Sequence, residues 1–194
     1  MKHACTRVIL EEHASITAIL KSLRVMLRQG PQDEPEVFFD VLRAMLFYMD
    51  EVPEKQHHPK ETALLFAPLV QKSPQHADLI ERLEKEHTEG ESTVRELQHH
   101  LMAWEILGDS RRVIFEEAAE KYIDFYSQHL LQEETLIIPE AFKVFTDKDW
   151  ADLHAAFDKK MPSYHGKPAH NPIYDRVFTK ILMRAPAPIG LGRH

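Results

Sequence analysis

Apolar residues recur at three- and four-residue spacing along four long segments of the chain, and short stretches containing Gly, Pro, Asp or Ser separate these segments. This spacing predicts amphipathic helices, and the short connections predict antiparallel neighbours. No segment shows the alternation that a strand would need. The predicted helices run from about Lys2 to Arg28, from about Pro35 to Phe66, from Ser73-Pro74 to just before Gly108, and from Asp109-Ser110 to about Phe145. We therefore expect an all-α chain built on an antiparallel helical bundle.

Two prolines, Pro53 and Pro59, fall inside the second predicted helix. Each removes a backbone donor, so we expect a kink or a short break there.

The chain continues beyond the fourth predicted helix with a less regular pattern. Thr146 is expected to cap a short helix, with Asp149 at its third position completing an acidic cap. The expected parts are a helix over 147–160, a loop over 161–172, an amphipathic helix over 173–183 and an irregular tail over 185–194. We divide the chain into a bundle, residues 1–146, and a short C-terminal helical extension with its tail, residues 147–194.

Composition narrows the class of protein. The apolar content of 43% is ordinary for a globular chain, and the longest apolar runs are too short to cross a bilayer. The N-terminus lacks the apolar core of a secretory signal, which favours the cytoplasm. A net charge of -7 without a run of Lys and Arg predicts no nucleic-acid partner. The only cysteine, Cys5, excludes an intramolecular disulfide and a multi-cysteine metal site within the chain.

The unusual number is 13 histidines, because histidine is the commonest metal ligand. Two segments place a carboxylate four residues after a histidine, namely His57 with Glu61 and His129 with Glu133. On a helix, residues four apart share a face, and both pairs continue an apolar stripe. The other two predicted helices each carry one histidine on the apolar stripe, His13 and His87.

Burying Glu61 and Glu133 as uncompensated anions would cost several kcal/mol each, and a cation between the helices removes that cost. Four imidazoles and two carboxylates exceed the needs of one tetrahedral zinc, but they fit two metals that share bridging carboxylates. Mixed nitrogen and oxygen ligation favours iron, with manganese or zinc as alternatives. For any single position, a satisfied core histidine or a surface pair is the simpler interpretation, but for the six positions together the metal site is favoured.

The four ligand segments resemble the hemerythrin-like (HHE) cation-binding domain. They occur in that family's order, as Glu11-Glu12-His13, His57-His58-Pro59-Lys60-Glu61, Glu86-His87 and His129-Leu130-Leu131-Gln132-Glu133-Glu134. The resemblance covers about residues 1–146 and implies an up-down-up-down four-helix bundle around a non-haem di-iron centre. It further implies that the four histidines are terminal ligands and that Glu61 and Glu133 are the bridging carboxylates.

One position departs from the oxygen-carrying members of that family, which have a fifth histidine one turn after the third-helix ligand. This chain has Glu91 there. We expect Glu91 to be an extra metal ligand or a base that positions bound water. The change makes simple reversible oxygen carriage less favourable.

Other residues adjoin the expected ligands: Glu12, Glu54, His58 and Glu134. Adjacent helix positions point about 100° apart, so we expect these side chains to support the ligands or, as the simpler interpretation, to be solvated. Tyr122 and Tyr126 follow the ligand stripe, where core packing is the simpler role and hydrogen bonding to a diatomic ligand or redox chemistry is the alternative.

Three classes of function remain open. The first is a di-iron protein that binds or senses a small oxidant such as oxygen, nitric oxide or peroxide. The second is a redox enzyme that reduces peroxide or nitric oxide, or a factor for iron supply or iron–sulfur repair. The third is a structural bundle with a degenerate site. The ligands would be the same in the first two classes, so the sequence does not separate a binding protein from an enzyme.

Overall fold

The computed structural model describes residues 3–160 and 174–192, and every regular element within those ranges is helical. The α-helices are α1 (Ala4–Gln29), α2 (Pro35–Met49), α3 (His58–Glu61), α4 (Ala67–Lys72), α5 (Ala77–Leu107), α6 (Arg112–Gln132), α7 (Ile138–Val144), α8 (Asp147–Lys160) and α9 (Asp175–Arg184). Wide π-helical turns occupy Asp50–His57, Thr62–Phe66 and Glu133–Ile137, and 3₁₀ turns occupy Pro74–His76 and Asp109–Arg111. The prediction of an all-α chain is confirmed.

Four long helical stretches surround the core: α1, residues 35–72, α5 and residues 112–144. Helix α1 contacts α2 and α6, and α5 contacts the same two helices. Two apolar clusters fill the space between the stretches. The larger one contains Ile16, Met49 and Tyr126, and the smaller one contains Ile9 and Leu65. Each stretch therefore contributes residues to both apolar clusters. Polar side chains that are buried near the middle of the stretches meet between the two clusters.

Prolines determine where the helices widen. The three π-helical turns end at His57, Phe66 and Ile137, each two residues before a proline, namely Pro59, Pro68 and Pro139. Proline has no backbone N–H and its ring crowds the carbonyl of the preceding turn, and a wider turn relieves both conflicts without breaking the helix. The expected disturbance at Pro53 and Pro59 is present as widened helix rather than as a break.

Helix α8 begins as the sequence predicts. The backbone N–H of Thr146 donates to Asp149 Oδ2 at 2.7 Å, and the backbone N–H of Asp149 lies 3.3 Å from Thr146 Oγ1. These reciprocal bonds satisfy two donors at the helix start. The loop predicted over 161–172 lies outside the described residues.

Helix α9 packs against α2, where the rings of Phe178 and Tyr48 lie 5.4 Å apart. The segment after α9 folds back, since the backbone N–H of Leu191 donates to the carbonyl of Leu182 at 2.8 Å. This part of the tail is therefore more ordered than predicted. Among the described residues, no helix combines the length and apolar character needed to span a membrane.

Candidate metal centre

The first part of the centre lies where α1 meets the second and fourth helical stretches. Helix α1 provides His13, the wide turn before α3 provides His57, α3 ends at Glu61, and the wide turn after α6 begins with Glu133. All four side chains are buried. One ligand atom of each lies within 4.8 Å of one ligand atom of the other three. Such a set of nitrogen and oxygen atoms could hold one metal ion.

Three further histidines form the second part of the centre: His58, His87 from α5 and His129 from α6. Their candidate ligand atoms also lie within 4.8 Å of one another. The Nε2 atoms of His87 and His129 are 3.1 Å apart.

The two carboxylates lie between these groups. Glu61 Oε1 lies 3.2 Å from His13 Nε2, and Glu61 Oε2 lies 3.2 Å from His57 Nε2 and 3.9 Å from His87 Nε2. Glu133 Oε2 lies 3.4 Å from His13 Nε2, and Glu133 Oε1 lies 3.2 Å from His129 Nε2 and 3.6 Å from His87 Nε2. Each carboxylate thus reaches histidines of both groups.

The donor atoms at the centre fit a pair of metal ions better than they fit a hydrogen-bond network. His57 Nε2, Glu61 Oε2 and both carboxylate oxygens of Glu133 are buried without a hydrogen-bond partner, although they lie close to one another. Buried polar atoms are nearly always hydrogen-bonded, so unpaired atoms that converge on one place need a specific explanation. Imidazole nitrogens and carboxylate oxygens around a shared cation supply it.

A family model described as the hemerythrin HHE cation binding domain matches residues 6–141, well over half of the chain. The chain belongs to the hemerythrin HHE cation-binding family. A search of curated proteins finds no significant match. The metal-binding character expected from the four ligand segments is confirmed at the level of the family, whose members bind metal cations, typically iron.

The outer nitrogens of the hemerythrin histidines are held by neighbouring side chains. His57 Nδ1 donates to Glu12 Oε2 at 2.7 Å, His129 Nδ1 to Glu86 Oε2 at 2.8 Å, and His13 Nδ1 to Glu134 Oε1 at 3.1 Å. His87 Nδ1 contacts Thr62 Oγ1 at 3.1 Å. A carboxylate can only accept, so the paired Nδ1 carries a proton and the inner Nε2 presents its lone pair when the ring is neutral. Glu12 and Glu134 therefore orient candidate ligands, the first of the two roles predicted for them, and the side chain of Glu134 is also solvent-exposed.

Histidines and carboxylates of the candidate centre shift one another's pKa values. Burial disfavours the charged form of His13, but the nearby carboxylates of Glu61 and Glu133 outweigh burial and raise the pKa of His13 to about 9. The same competition, in which Glu133 and Glu86 outweigh burial, raises the pKa of His129 to about 10. Burial also opposes the charge of Glu133, yet the histidines around it hold the pKa of that carboxyl well below its usual range. The buried carboxylate of Glu133 is thus stabilised by the positive charge of the imidazoles beside it.

The structure brings together all six residues that the pattern predicts as ligands, but it places Glu91 elsewhere. The Glu91 side chain is partly exposed, and its Oε1 accepts a hydrogen bond from Arg95 on the same helix. The position of α5 that approaches the centre beyond His87 is Gly90, which lies against the carboxylate of Glu54. Glu91 belongs to neither group of converging side chains among the described residues.

His58 is a buried histidine that the sequence pattern does not single out as a candidate ligand. Its ring stacks on the ring of His87 at 3.9 Å with an interplanar angle of 8°. Solvation was the simpler interpretation for His58 and Glu54, and it is wrong for both. The signal was its spacing to Glu61, because residues three apart on a helix are neighbours just as residues four apart are. His57 lies beside Glu61 in the first group, whereas His58 belongs to the second group.

Two buried tyrosines adjoin the second group. Tyr126 Oη lies 2.8 Å from His58 Nε2, and the rings of Tyr126 and Tyr122 are 5.3 Å apart. The hydroxyl of Tyr122 is buried without a partner among the described residues. Burial, which outweighs a hydrogen bond from Tyr126, raises the pKa of the nearby Glu54 carboxyl to about 8. A buried polar cluster of phenol, carboxyl and imidazole groups thus lies on the α6 side of the centre.

Proposed function

We propose that this hemerythrin-family chain is a non-haem di-iron protein that binds or senses a small oxidant, namely oxygen, nitric oxide or peroxide. The observation that carries the proposal is the position of Glu61 and Glu133, buried between two groups of histidines and within reach of both. Two carboxylates shared between two sets of imidazoles are the donor set of a binuclear site. His13, His57, Glu61, His87, His129 and Glu133 would hold the metals.

The choice of iron rests on donor chemistry and on the family. Mixed imidazole and carboxylate ligation suits iron and manganese, and zinc at a structural site is satisfied by four ligands. Manganese and zinc are the alternatives that metal analysis would identify.

The residues around the proposed centre hold its ligands and limit access to it. When bound, iron supplies redox chemistry and affinity for small oxidants. The carboxylates of Glu12, Glu86 and Glu134 orient the imidazoles by accepting hydrogen bonds from their Nδ1–H groups, which also raises ligand basicity. The apolar clusters on both sides keep bulk water away. The protein therefore supports a buried centre that favours small ligands over large substrates.

We also propose the arrangement that would carry this centre. The four helical stretches would run up-down-up-down, with residues 1–146 forming the metal-binding bundle and residues 147–194 forming an extension packed against it. A cytoplasmic protein whose ligand is a small diatomic molecule or peroxide, with no nucleic-acid or membrane partner, fits the composition.

A redox enzyme that reduces peroxide or nitric oxide is a second candidate, and one observation favours it. The Tyr126 hydroxyl lies 2.8 Å from His58 Nε2, within the buried polar cluster next to the centre, where a phenol can donate a proton to a reacting molecule. Iron–sulfur repair gains no comparable support, because the single thiol, Cys5, is buried and burial raises its pKa to about 11. Steady-state consumption of peroxide or nitric oxide with an added reductant separates an enzyme from a sensor.

An anaerobic titration tests the proposed oxidant binding. The iron-loaded, reduced protein is mixed with stoichiometric oxygen, nitric oxide or hydrogen peroxide, and the ultraviolet-visible spectrum is recorded after each addition. We expect at least one of the three to change the iron absorption with a saturating dependence on concentration. A double Glu61→Gln, Glu133→Gln variant should show no such change. An iron-loaded wild type whose spectrum responds to none of the three would contradict the proposal.

A further inference from the structure

We infer that His58 is a fifth imidazole ligand of the centre, supplied by the second helical stretch rather than by α5. The inference rests on the proposed di-iron function and deepens it. It replaces the sequence-based expectation that Glu91 completes the ligand set. The juxtaposition that carries it is His58 with His87 and His129, three buried histidines from three helical stretches.

The position of His58 follows from its place next to His57 in the chain. His57, four residues before Glu61, lies beside the Glu61 carboxylate, whereas the ring of His58 stacks on that of His87. Their outer nitrogens contact different carboxylates, because His57 Nδ1 lies 2.7 Å from Glu12 on α1 whereas His58 Nδ1 lies 2.9 Å from Glu54 on its own stretch. The two neighbouring histidines thus diverge, and each contributes to one of the two groups.

The residue pattern of α5 leaves room for this arrangement. A Cβ atom at Gly90 would lie 2.8 Å from Glu54 Oε1, closer than real contacts allow. Glycine at this position therefore lets the Glu54 carboxyl group reach His58 Nδ1. An outer acidic side chain that fixes the ring of an imidazole is the arrangement seen for His13, His57 and His129. Gly90 and Glu54 act as positioning residues, while Glu91 points to Arg95.

The contact between His58 and Tyr126 gives the inference a distinctive signature. The Tyr126 hydroxyl lies 2.8 Å from His58 Nε2, the nitrogen that would coordinate metal. A phenol and a metal ion compete for the same lone pair. Removing the hydroxyl should therefore leave iron binding intact or strengthen it. If His58 served only to hold Tyr126, iron binding would not depend on His58.

The test compares His58→Ala with Glu91→Ala and with His100→Ala, which alters a less buried histidine of α5 that is paired with Glu96. Each full-length variant is loaded anaerobically with ferrous iron. The readouts are iron per chain, the affinity measured by competition with a chelator, and the Mössbauer spectrum. We expect His58→Ala to weaken binding of the second iron at least about 10-fold, since losing only an outer partner of a ligand already costs 10–100-fold. Glu91→Ala, His100→Ala and Tyr126→Phe should keep two irons per chain.

A second substitution guards against misfolding. His58→Gln keeps a polar side chain of similar length beside Glu54, and circular dichroism of the metal-free variants reports whether the helices form. A folded His58→Gln protein with weakened second-iron binding supports the inference. Two tightly bound irons and an unchanged Mössbauer spectrum in either folded variant would overturn it and leave the di-iron proposal standing. A wild type that binds no iron would overturn both.

Discussion

The Nδ1 atom of His57 lies 2.7 Å from Oε2 of Glu12, which stands on α1 beside the ligand His13. This bond links the first and second helical stretches directly behind the proposed centre. Lys60 reaches the other oxygen of the same carboxylate at 3.3 Å. Glu12 thus orients one proposed ligand, while its neighbour His13 is another, so two adjacent residues of α1 serve the centre in different ways.

Glu12→Gln should weaken iron binding without unfolding the chain. The amide keeps the size of the side chain but removes the charge that orients His57 and raises its basicity, so we expect a 10–100-fold loss of affinity. Chelator competition measures it. Glu11→Gln is the matched control, because Glu11 is exposed and pairs with Arg7 on the same helix. Equal affinities in the two variants would show that the bond does not support the ligand.

The larger apolar cluster should support the fold independently of the metal centre. Trp104 is fully buried there, 5.6 Å from the ring of Phe38 and 5.7 Å from that of Phe115. Trp104→Ala should lower the free energy of unfolding by roughly 3–5 kcal/mol, measured by urea denaturation, while the folded fraction keeps its iron. Met102→Ala, on the exposed side of the same helix, should change stability by less than about 0.5 kcal/mol. A Trp104→Ala protein as stable as the control would contradict this role.

Removing the metal should lower thermal stability. A ligand that binds only the folded state stabilises it by about 2.7 kcal/mol when its free concentration is 100 times Kd. For a chain of this size, each kcal/mol moves Tm by roughly 2–4 °C, so chelation should lower Tm by about 5–11 °C. Differential scanning calorimetry with and without chelator measures the shift. An identical Tm in both states would indicate that the metal does not bind the folded centre tightly.

The cap of α8 should make stability depend on pH. Hydrogen bonds from Thr146, together with Lys72, lower the pKa of Asp149 from 3.8 to about 2. Because the folded-state pKa is depressed, the contribution of Asp149 is present above about pH 4 and is lost as the pH falls toward 2. The unfolding free energies of metal-free wild type and Asp149→Asn should therefore differ most above pH 4 and converge near pH 2. A difference that grows in acid would contradict the assignment.

Much of the fold could be predicted from the spacing of apolar residues and from helix-ending signals. Gly30 and Gly108 end α1 and α5 with positive φ values of 69° and 84°, as their positions after the apolar stripes predict. The helix cap at Thr146 could also be predicted, because a capping box depends on residues three apart in the sequence.

The ligand set was only partly predictable, for physical reasons. His57 with Glu61 and His129 with Glu133 carry a local signal, since both pairs have helical spacing. His58 was missed because neighbouring residues on one helix diverge, and its role depends on contacts made across the core with His87 and Tyr126. The three-residue spacing of His58 to Glu61 is a weak local signal, but the long-range contacts leave no local pattern.

Glu91 follows His87 by four residues, the spacing expected of a ligand. Spacing alone does not show that its side chain pairs with Arg95, one helical turn further on, instead of entering the centre. Gly90, one residue earlier, gives the complementary signal, because a glycine inside a long helix is unfavourable unless close packing requires it. At Gly90 the close neighbour is the Glu54 carboxyl group, whose position depends on the fold and is not encoded in the local sequence.

The most direct test of the di-iron centre is the metal content of the protein after anaerobic loading with ferrous iron and removal of loosely bound metal. We expect two irons per chain in the wild type and fewer than one in the double Glu61→Gln, Glu133→Gln variant, with both proteins equally helical by circular dichroism. A folded wild-type chain that retains one zinc ion, or no metal at all, would contradict the account.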